Sequence, residues 1–461
     1  MGLLEKSNVT LREQLLTGKK SIACWGSGFI GFSTGSHFAQ AGVKVILVDN
    51  DPTIVARINA GEFPRQTSKG LVNFDIRPIV RSGKMQATTK WEKVISTDVV
   101  VHFICIPTEK DGKPWDEVLV DVIHKLCRLK GLAQVEPPPL LIIESTLYPG
   151  CTDKVIIPIL EDNGFKLGED ILLGVAPRRD WFDSLPEKSL RSLNRVFGGI
   201  NEKSQRIMEN VLGLVCDNLV PAMDYRYAEM AKAVENSIRH VEITLANQLT
   251  LAYPEVDIAE VLRLAGTKWN IGTFHPSLGC GGYCIPIAGQ YLLRGSDTPE
   301  ELTLLTEAFS FDYERLPTKI AETLSNFGSK DVGILGLCYR PDIKVHSLSP
   351  TIRLTKALRK LGIGVKVHDP YYSDDEIRSL AGCSSFEFPD GLSKFDTIVI
   401  ATGHKRYRQV REDELNKHLK NCRIILYNMD EIWKHFSLDG IQSLTIGEGR
   451  FFNARRSQAE R

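Results

Sequence analysis

What this chain lacks narrows its function before any motif is read. No apolar run approaches the roughly 20 residues that a membrane helix needs. The first twenty residues carry Glu5, Lys6, Arg12, Glu13, Lys19 and Lys20, which leaves no signal-peptide core. The Met-Gly start lacks the Ser or Thr of a myristoylation signal, since Lys6 stands at that place and Ser7 one later. Net charge is absent too. With 57 basic residues against 57 acidic ones, nothing calls for nucleic acid or a membrane surface as partner. The ten cysteines form no CxxC pair and no metal-ligand spacing. They read as reduced thiols of a cytoplasmic protein, and no metal is expected. The tail from Gly449 to Arg461 reads as a frayed terminus.

What is present begins with a glycine turn. The apolar run Ser21-Ile22-Ala23-Cys24-Trp25 leads into Gly26-Ser27-Gly28-Phe29-Ile30-Gly31, then a helical stretch, then Val43 to Val48 closed by Asp49. Strand, turn, helix and strand follow in about thirty residues, the pattern of a dinucleotide fold. Gly26 makes the tight turn, Gly28 lets the backbone approach a pyrophosphate, and Gly31 lets helix and strand pack closely. The helix start at Phe29 and Ile30 offers N–H groups and partial positive charge to that pyrophosphate. Asp49 can accept from a ribose 2′-OH and would repel a 2′-phosphate, so the expected cofactor is NAD.

Two more apolar runs, Asp98 to Cys105 and Leu140 to Glu144, suit strands buried on both faces of a parallel sheet. Thr108 and Thr146 stand just past their ends, where such sheets bind ligands, and are candidate cofactor contacts. As turn or cap threonines they would need no ligand.

The C-terminal third echoes the first. Val332-Gly333-Ile334-Leu335-Gly336 opens a similar unit, and Val365-Lys366-Val367-His368-Asp369 repeats the second strand with its acid. Thr397 to Ala401 and Arg423 to Tyr427 extend a second sheet. Cys338-Tyr339-Arg340 replaces the remaining glycines, so a mononucleotide-bearing substrate fits better than a second dinucleotide, with Arg340 a phosphate or sugar contact. Between the sheets, Met230, Val234, Ile238, Val241, Leu245 and Leu249 recur at helical spacing from Tyr225 to Ala252. The expected class is α/β: two Rossmann-like doubly wound parallel-sheet domains joined by a long central helix and a helical dimerisation region. The boundaries are 1–220 for the NAD-binding domain, 221–325 for the central helical domain and 326–461 for the C-terminal domain.

Two features of the middle look chemical. Lys232, Asn236 and Arg239 share one helix face. The segment Phe274 to Pro286 holds Gly279, Gly281 and Gly282 and presents Cys284. Read singly, the first is a solvated face and the second a small buried hydrophobe.

Taken in order, the motifs resemble those of the UDP-glucose/GDP-mannose dehydrogenase family, including its UDP-N-acetylmannosamine dehydrogenases. The matching segments are Gly26 to Gly31 with Asp49, Ile106-Pro107-Thr108, Ser145 to Gly150, Ala228 to Asn236, Gly281 to Pro286, Gly336 to Asp342, and Ala401-Thr402-Gly403-His404. The resemblance implies NAD-dependent oxidation of a sugar-nucleotide primary alcohol to a carboxylate. It makes Cys284 the thiol that holds the aldehyde as a thiohemiacetal and then a thioester. Lys232 and Asn236 would polarise the reacting oxygen, and Thr146 would position cofactor or water. It also implies a homodimer built on the central helix, and a ligand held by Lys232, Asn236, Phe274, Gly281 and Arg340.

The departures from that family cluster at the chemistry. Ala288 stands where the family has an aspartate, Arg178 where it has a glutamate, and Tyr283 where one branch has histidine. Ser347-Leu348-Ser349-Pro350 replaces an Arg-Glu-Ser-Pro run, and Ile343-Lys344-Val345-His346 replaces an acidic stretch. Two lost carboxylates remove candidate general bases. The favoured expectation is retained dehydrogenase chemistry on an atypical substrate whose carboxylate or phosphate pairs with Arg178 or Arg179. The alternatives are a single two-electron oxidation or other redox step, and a silent sensor of NAD and nucleotide sugar.

Overall fold

The computed structural model describes residues 10–65, 68, 70–94, 98–129, 132, 136–179 and 188–453. The N-terminal charge pattern up to Ser7, Asp180, and the tail beyond Asn453 lie outside them. The chain divides into two compact units. One runs to Val234 and includes Arg294–Asp297; the other comprises Glu235–Leu293 and everything from Thr298 on. The division falls within the helix Tyr225–Ala252, between Val234 and Glu235.

In the first unit, β1 (Ser21–Trp25), β2 (Lys44–Val48), β3 (Met85–Thr88) and β4 (Val99–Ile104) are followed by a two-stranded hairpin, β5 (Glu109–Lys110) and β6 (Lys113–Pro114). Then come β7 (Leu140–Ile143), β8 (Leu172–Val175), β9 (Arg195–Gly199) and β10 (Leu219–Pro221). The eight-stranded sheet has the order β10-β9-β8-β7-β4-β1-β2-β3. Its pairs are parallel except β8–β9, which is antiparallel, so the far edge departs from the all-parallel expectation. Every residue of β4 and β7 is buried, which is why these runs are continuously apolar instead of alternating. The order reverses at β1 and β4, so the crevice at their carboxyl ends is the place for a ligand.

In the second unit, β11 (Asp331–Leu335), β12 (Gly364–His368), β13 (Thr397–Ile400), β14 (Ile424–Tyr427) and β15 (Gln442–Thr445) form a wholly parallel sheet, β12-β11-β13-β14-β15. Alternate residues feed two cores. Val332, Ile334 and Val399 pack with Leu354 and Leu358 of the helix Pro350–Lys360, whereas Leu335, Ile398 and Ile400 pack with Tyr407 and Trp433. Helices therefore cover both faces, as a doubly wound fold requires.

The central helix turns its chemistry inside out. Its buried face within the second unit carries Ser237, His240, Thr244, Asn247 and Thr250 at three- and four-residue spacing, while Ile238 and Leu245 are about half exposed, at 55% and 46%. The apolar spacing seen in the sequence is real, but part of it points outward.

Candidate functional site

In the first unit the glycine turn is built as its spacing implies. Gly26 has φ +91°, its N–H donates to Val48 C=O at 2.8 Å, and a Cβ on it would crowd Cys105 C=O at 2.5 Å. A Cβ on Gly31 would overlap the carbonyl of Gly26. Around Gly28, by contrast, a Cβ would meet nothing within 4 Å. Gly28 is also the N-cap of the helix Phe29–Gln40, whose end has no side-chain cap. Open space before uncapped N–H groups fits a pyrophosphate. The residues present suit NAD.

Asp49 is half-buried. Its Oδ2 accepts from Ser27 N–H at 2.6 Å, and its Oδ1 accepts from Asp51 N–H at 3.0 Å. The carboxylate thus braces the turn from the end of β2, with acceptor capacity left for a ribose hydroxyl. Thr108 and Thr146, expected separately, meet: Thr108 Oγ1 donates to Thr146 C=O at 2.6 Å. Beside them Ser145 Oγ accepts from Ile106 N–H at 2.9 Å, which ties the ends of β4 and β7 together.

Arg178 corrects an expectation. It is 5% exposed, and its two terminal nitrogens donate inward, to Thr34 Oγ1 at 2.5 Å and Ser33 Oγ at 3.0 Å. Thr34 in turn donates to Glu144 Oε2 at 2.6 Å, and Glu144 pairs with the buried Arg195. A guanidinium engaged in this network is an interior group of the NAD domain, not a hand for a substrate anion. Nothing in the local sequence marked Glu144 and Arg195 as partners.

Glu229, within the Ala228–Asn236 segment, anchors the segment after Thr146. It accepts from the N–H groups of Gly150 (2.5 Å) and Thr152 (3.0 Å), and from the Thr152 hydroxyl. Burial raises its pKa against those hydrogen bonds. Glu229 lies one helical turn before Lys232, which is half-buried.

In the second unit, Asn236 is half-buried and Arg239 is exposed and paired with Glu242 at 2.8 Å. Arg239 therefore belongs to a solvated helix face. Cys284 is the only exposed cysteine of the ten, and it immediately precedes the helix Ile285–Gly295. Its loop is held from several sides. Ser277 N–H donates to Asn247 Oδ1, Leu278 N–H to Asn428 Oδ1 and Gly282 N–H to Ser347 C=O, each at 2.8 Å.

Gly281 and Gly282 are glycines because Tyr339 lies on them. A Cβ would come within 2.5 Å of Tyr339 Cβ at Gly281 and 2.8 Å of the ring at Gly282, where φ is +87°. The tyrosine hydroxyl is pushed up to about 12, by burial first and by Cys284 next. The missing side chain of Gly281 makes room for Tyr339. Phe274 is half-buried and packs on Ala246, Ile258 and Leu262. Arg340 is half-buried and follows Tyr339 at the carboxyl end of β11.

The departures have visible consequences. Ala288 is a buried methyl in the helix that starts after Cys284. In the replaced acidic stretch Lys344 pairs with Glu376 at 2.5 Å, and His346 meets the Tyr372 hydroxyl at 3.0 Å. Leu348 adopts φ +48°, a strained conformation for a side-chain-bearing residue.

Fold and glycine turn together define an NAD-dependent oxidoreductase. Three domains of one family match in series: the NAD binding domain of the UDP-glucose/GDP-mannose dehydrogenases at residues 20–213, their central domain at 226–311 and their UDP binding domain at 333–433. The chain belongs to that family, whose activity is NAD-dependent oxidation of a CH–OH group on a nucleotide sugar. It is 26% identical to the UDP-N-acetyl-D-mannosamine dehydrogenase of Methanococcus aeolicus, over 93% of this chain and 95% of that one. It is 27% identical to the UDP-N-acetyl-D-glucosamine 6-dehydrogenase of Salmonella typhi, over 88% and 95%. The solved UDP-D-ManNAc dehydrogenase of Pyrococcus horikoshii superposes with TM-score 0.77 at 25% identity, covering 93% of this chain and 99% of that one. Among the described residues no helix is long and apolar enough to cross a membrane.

Proposed function

We propose that this enzyme oxidises the C6 alcohol of a UDP-linked sugar of the N-acetylhexosamine class to the carboxylate, with Cys284 as nucleophile. The observation that carries the reading is the exposure of Cys284 alone among ten cysteines, on an anchored glycine loop at a helix start. The mannosamine and glucosamine relatives motivate the sugar class. When bound in the glycine turn, NAD would take up a hydride in each of two oxidations. Between them the Cys284 thiolate adds to the aldehyde carbon, forming a C–S bond and a thiohemiacetal. The second hydride leaves that carbon to give a thioester, and water displaces the thiolate as acid forms. One alcohol, two NAD and one water thus give one carboxylate, two NADH and three protons. Lys232 and Asn236 stabilise the oxyanion, Thr108 and Thr146 position cofactor or water, and Arg340 contacts the nucleotide.

A second reading has its own observation. Ala288 leaves a methyl where the resemblance places a water-activating carboxylate, so thioester hydrolysis is slowed and the enzyme stalls after one or two oxidations. Counting NADH per UDP-N-acetyl-D-mannosamine separates the cases. Two support the acid and one an aldehyde, while an acyl adduct on the Cys284 peptide marks the stall. Cys284→Ser should lower the four-electron rate on the order of 10³-fold or more. A variant with undiminished rate and yield removes the thiol from the mechanism.

The outward apolar residues Ile238 and Leu245 support a homodimer packed along the central helix. Ten cysteines outside any disulfide suit a cytoplasmic setting.

A further inference from the structure

The loop that carries Cys284 is gripped at Cys280 by a buried ion pair. Asp312 is 2% exposed and sits in the turn Phe311–Arg315. Its Oδ1 and Oδ2 accept from Cys280 N–H at 3.0 and 3.2 Å. Arg353, on the helix Pro350–Lys360, donates from Nη2 to Cys280 C=O at 2.6 Å, and the same nitrogen lies 3.5 Å from Asp312 Oδ2. Both main-chain groups of one residue are therefore held by opposite members of a charge pair. The pair is itself fixed: Arg353 lies over the Tyr313 ring at 4.3 Å, and His240 Nε2 of the central helix is 3.5 Å from Asp312 Oδ2. Gly279 has φ +109°, and a Cβ there would collide with Asp312 Oδ1.

Such an arrangement is a poor way to gain stability, because desolvating two charges offsets most of their attraction, and apolar residues would serve as well. It is a good way to fix geometry. Gly279, Gly281 and Gly282 give the loop a large conformational freedom that must be removed before a thiol four residues on can be aimed. Charge-assisted hydrogen bonds are short and directional, and they remove it at the residue just before the glycine pair.

We propose that Asp312 and Arg353 are positioning residues, a clamp on the Cys280 backbone that sets where the loop delivers the Cys284 thiol. The proposal rests on the reading of Cys284 as nucleophile. His240, Cys280 and Asp312 could offer three donors to a metal ion. Arg353, however, already places a cation at Asp312, and burial, followed by the charge of Asp312, raises the Cys280 pKa and keeps that thiol neutral. The clamp is the reading the charges favour.

The test uses the full chain with NAD and UDP-N-acetyl-D-mannosamine. Arg353→Met should lower kcat on the order of 10- to 100-fold, as a misplaced reacting group does. KM for NAD should stay within about twofold, since the glycine turn of the other unit is untouched. Arg353→Lys, which keeps the charge, should recover most of the rate. Asp312→Asn keeps shape and an acceptor, and it serves if Arg353→Met does not fold. Amide exchange over 279–284 should quicken in both disruptive variants while peptides of β11 and β13 keep their protection. Undiminished kcat, unchanged loop exchange, or a stoichiometric zinc whose removal abolishes activity would each overturn the clamp. Failure of the nucleophile reading shows separately, as full activity in Cys284→Ser, while the exchange measurement still reports on the loop.

Discussion

Asp49 and Asp369 stand at the same place in two sheets, each just after the strand that flanks the first strand of its domain. In the NAD domain Asp49 is half-buried and accepts two backbone N–H bonds, from Ser27 and Asp51. In the C-terminal domain Asp369 is buried and crowded. It accepts from the N–H groups of Leu337, Cys338 and Tyr371, and it meets His404 Nε2 at 3.2 Å. Burial opposes its ionisation, but the bonds from His404 and the backbone outweigh that and hold its pKa low. The glycines differ in the same sense. Gly28 faces open space, whereas the corresponding turn after Gly336 runs through Cys338, whose carbonyl accepts from Thr402 Oγ1 at 2.6 Å. One carboxylate has capacity left for a cofactor; the other has become a structural post. A similar strand-turn-helix unit therefore supports two roles, and the side chains around the turn decide which.

This contrast can be broken by experiment. The largest effect should come from Asp369→Asn, which leaves His404 and the turn N–H groups facing a neutral side chain. A loss of about 3 kcal/mol is expected, read as a drop in thermal midpoint with KM for NAD unchanged in the folded fraction. An NAD defect without destabilisation would show that the two acids are more alike than their surroundings suggest.

Acid should strain both domains through buried histidines. Burial alone pushes His102 of β4 down to about 3. Burial, with Arg406 beside it, pushes His368 of β12 down to about 4. Both values lie below the free value, so this stability is whole above about pH 6.5, erodes as pH falls below that, and is fully lost only once pH is below about 4 for His368 and about 3 for His102. Each histidine should cost about 2 kcal/mol by pH 5, and His102→Phe should remove that slope from the NAD domain alone. Since Trp25 Nε1 donates to His102 Nδ1, Trp25 emission reports the NAD domain directly. Acid unfolding that ignores the substitution would mean other groups set the pH response.

The smallest effect belongs to Asp49→Asn. With its backbone bonds largely preserved, the fold should hold to within about 1 kcal/mol, while KM for NAD rises roughly tenfold from the loss of one charge-assisted bond. Steady-state kinetics with NAD varied would measure it, and an unchanged KM would detach Asp49 from the ribose.

Local features of the chain were legible from its order of residues. The glycine turn, the buried runs of β4 and β7, the second sheet and the cysteine loop all declare themselves within a few consecutive positions, because backbone freedom and strand burial leave local marks. The partners were not legible. Glu229 holds Gly150 from 79 positions away, Arg195 meets Glu144 across 51, and Arg353 reaches Cys280 across 73. Arg178 shows the cost of reading a residue without its neighbours: a cation offered to substrate proved to be committed to Ser33 and Thr34. The sequence by itself determined that this chain is a two-sheet NAD oxidoreductase, since short-range spacing encodes turns and strands. Only the tertiary structure decided which charges face inward, which glycines make room for Tyr339, and which acid stays open to a ligand. Those outcomes depend on burial and on contacts between residues far apart in the chain, which no local pattern records.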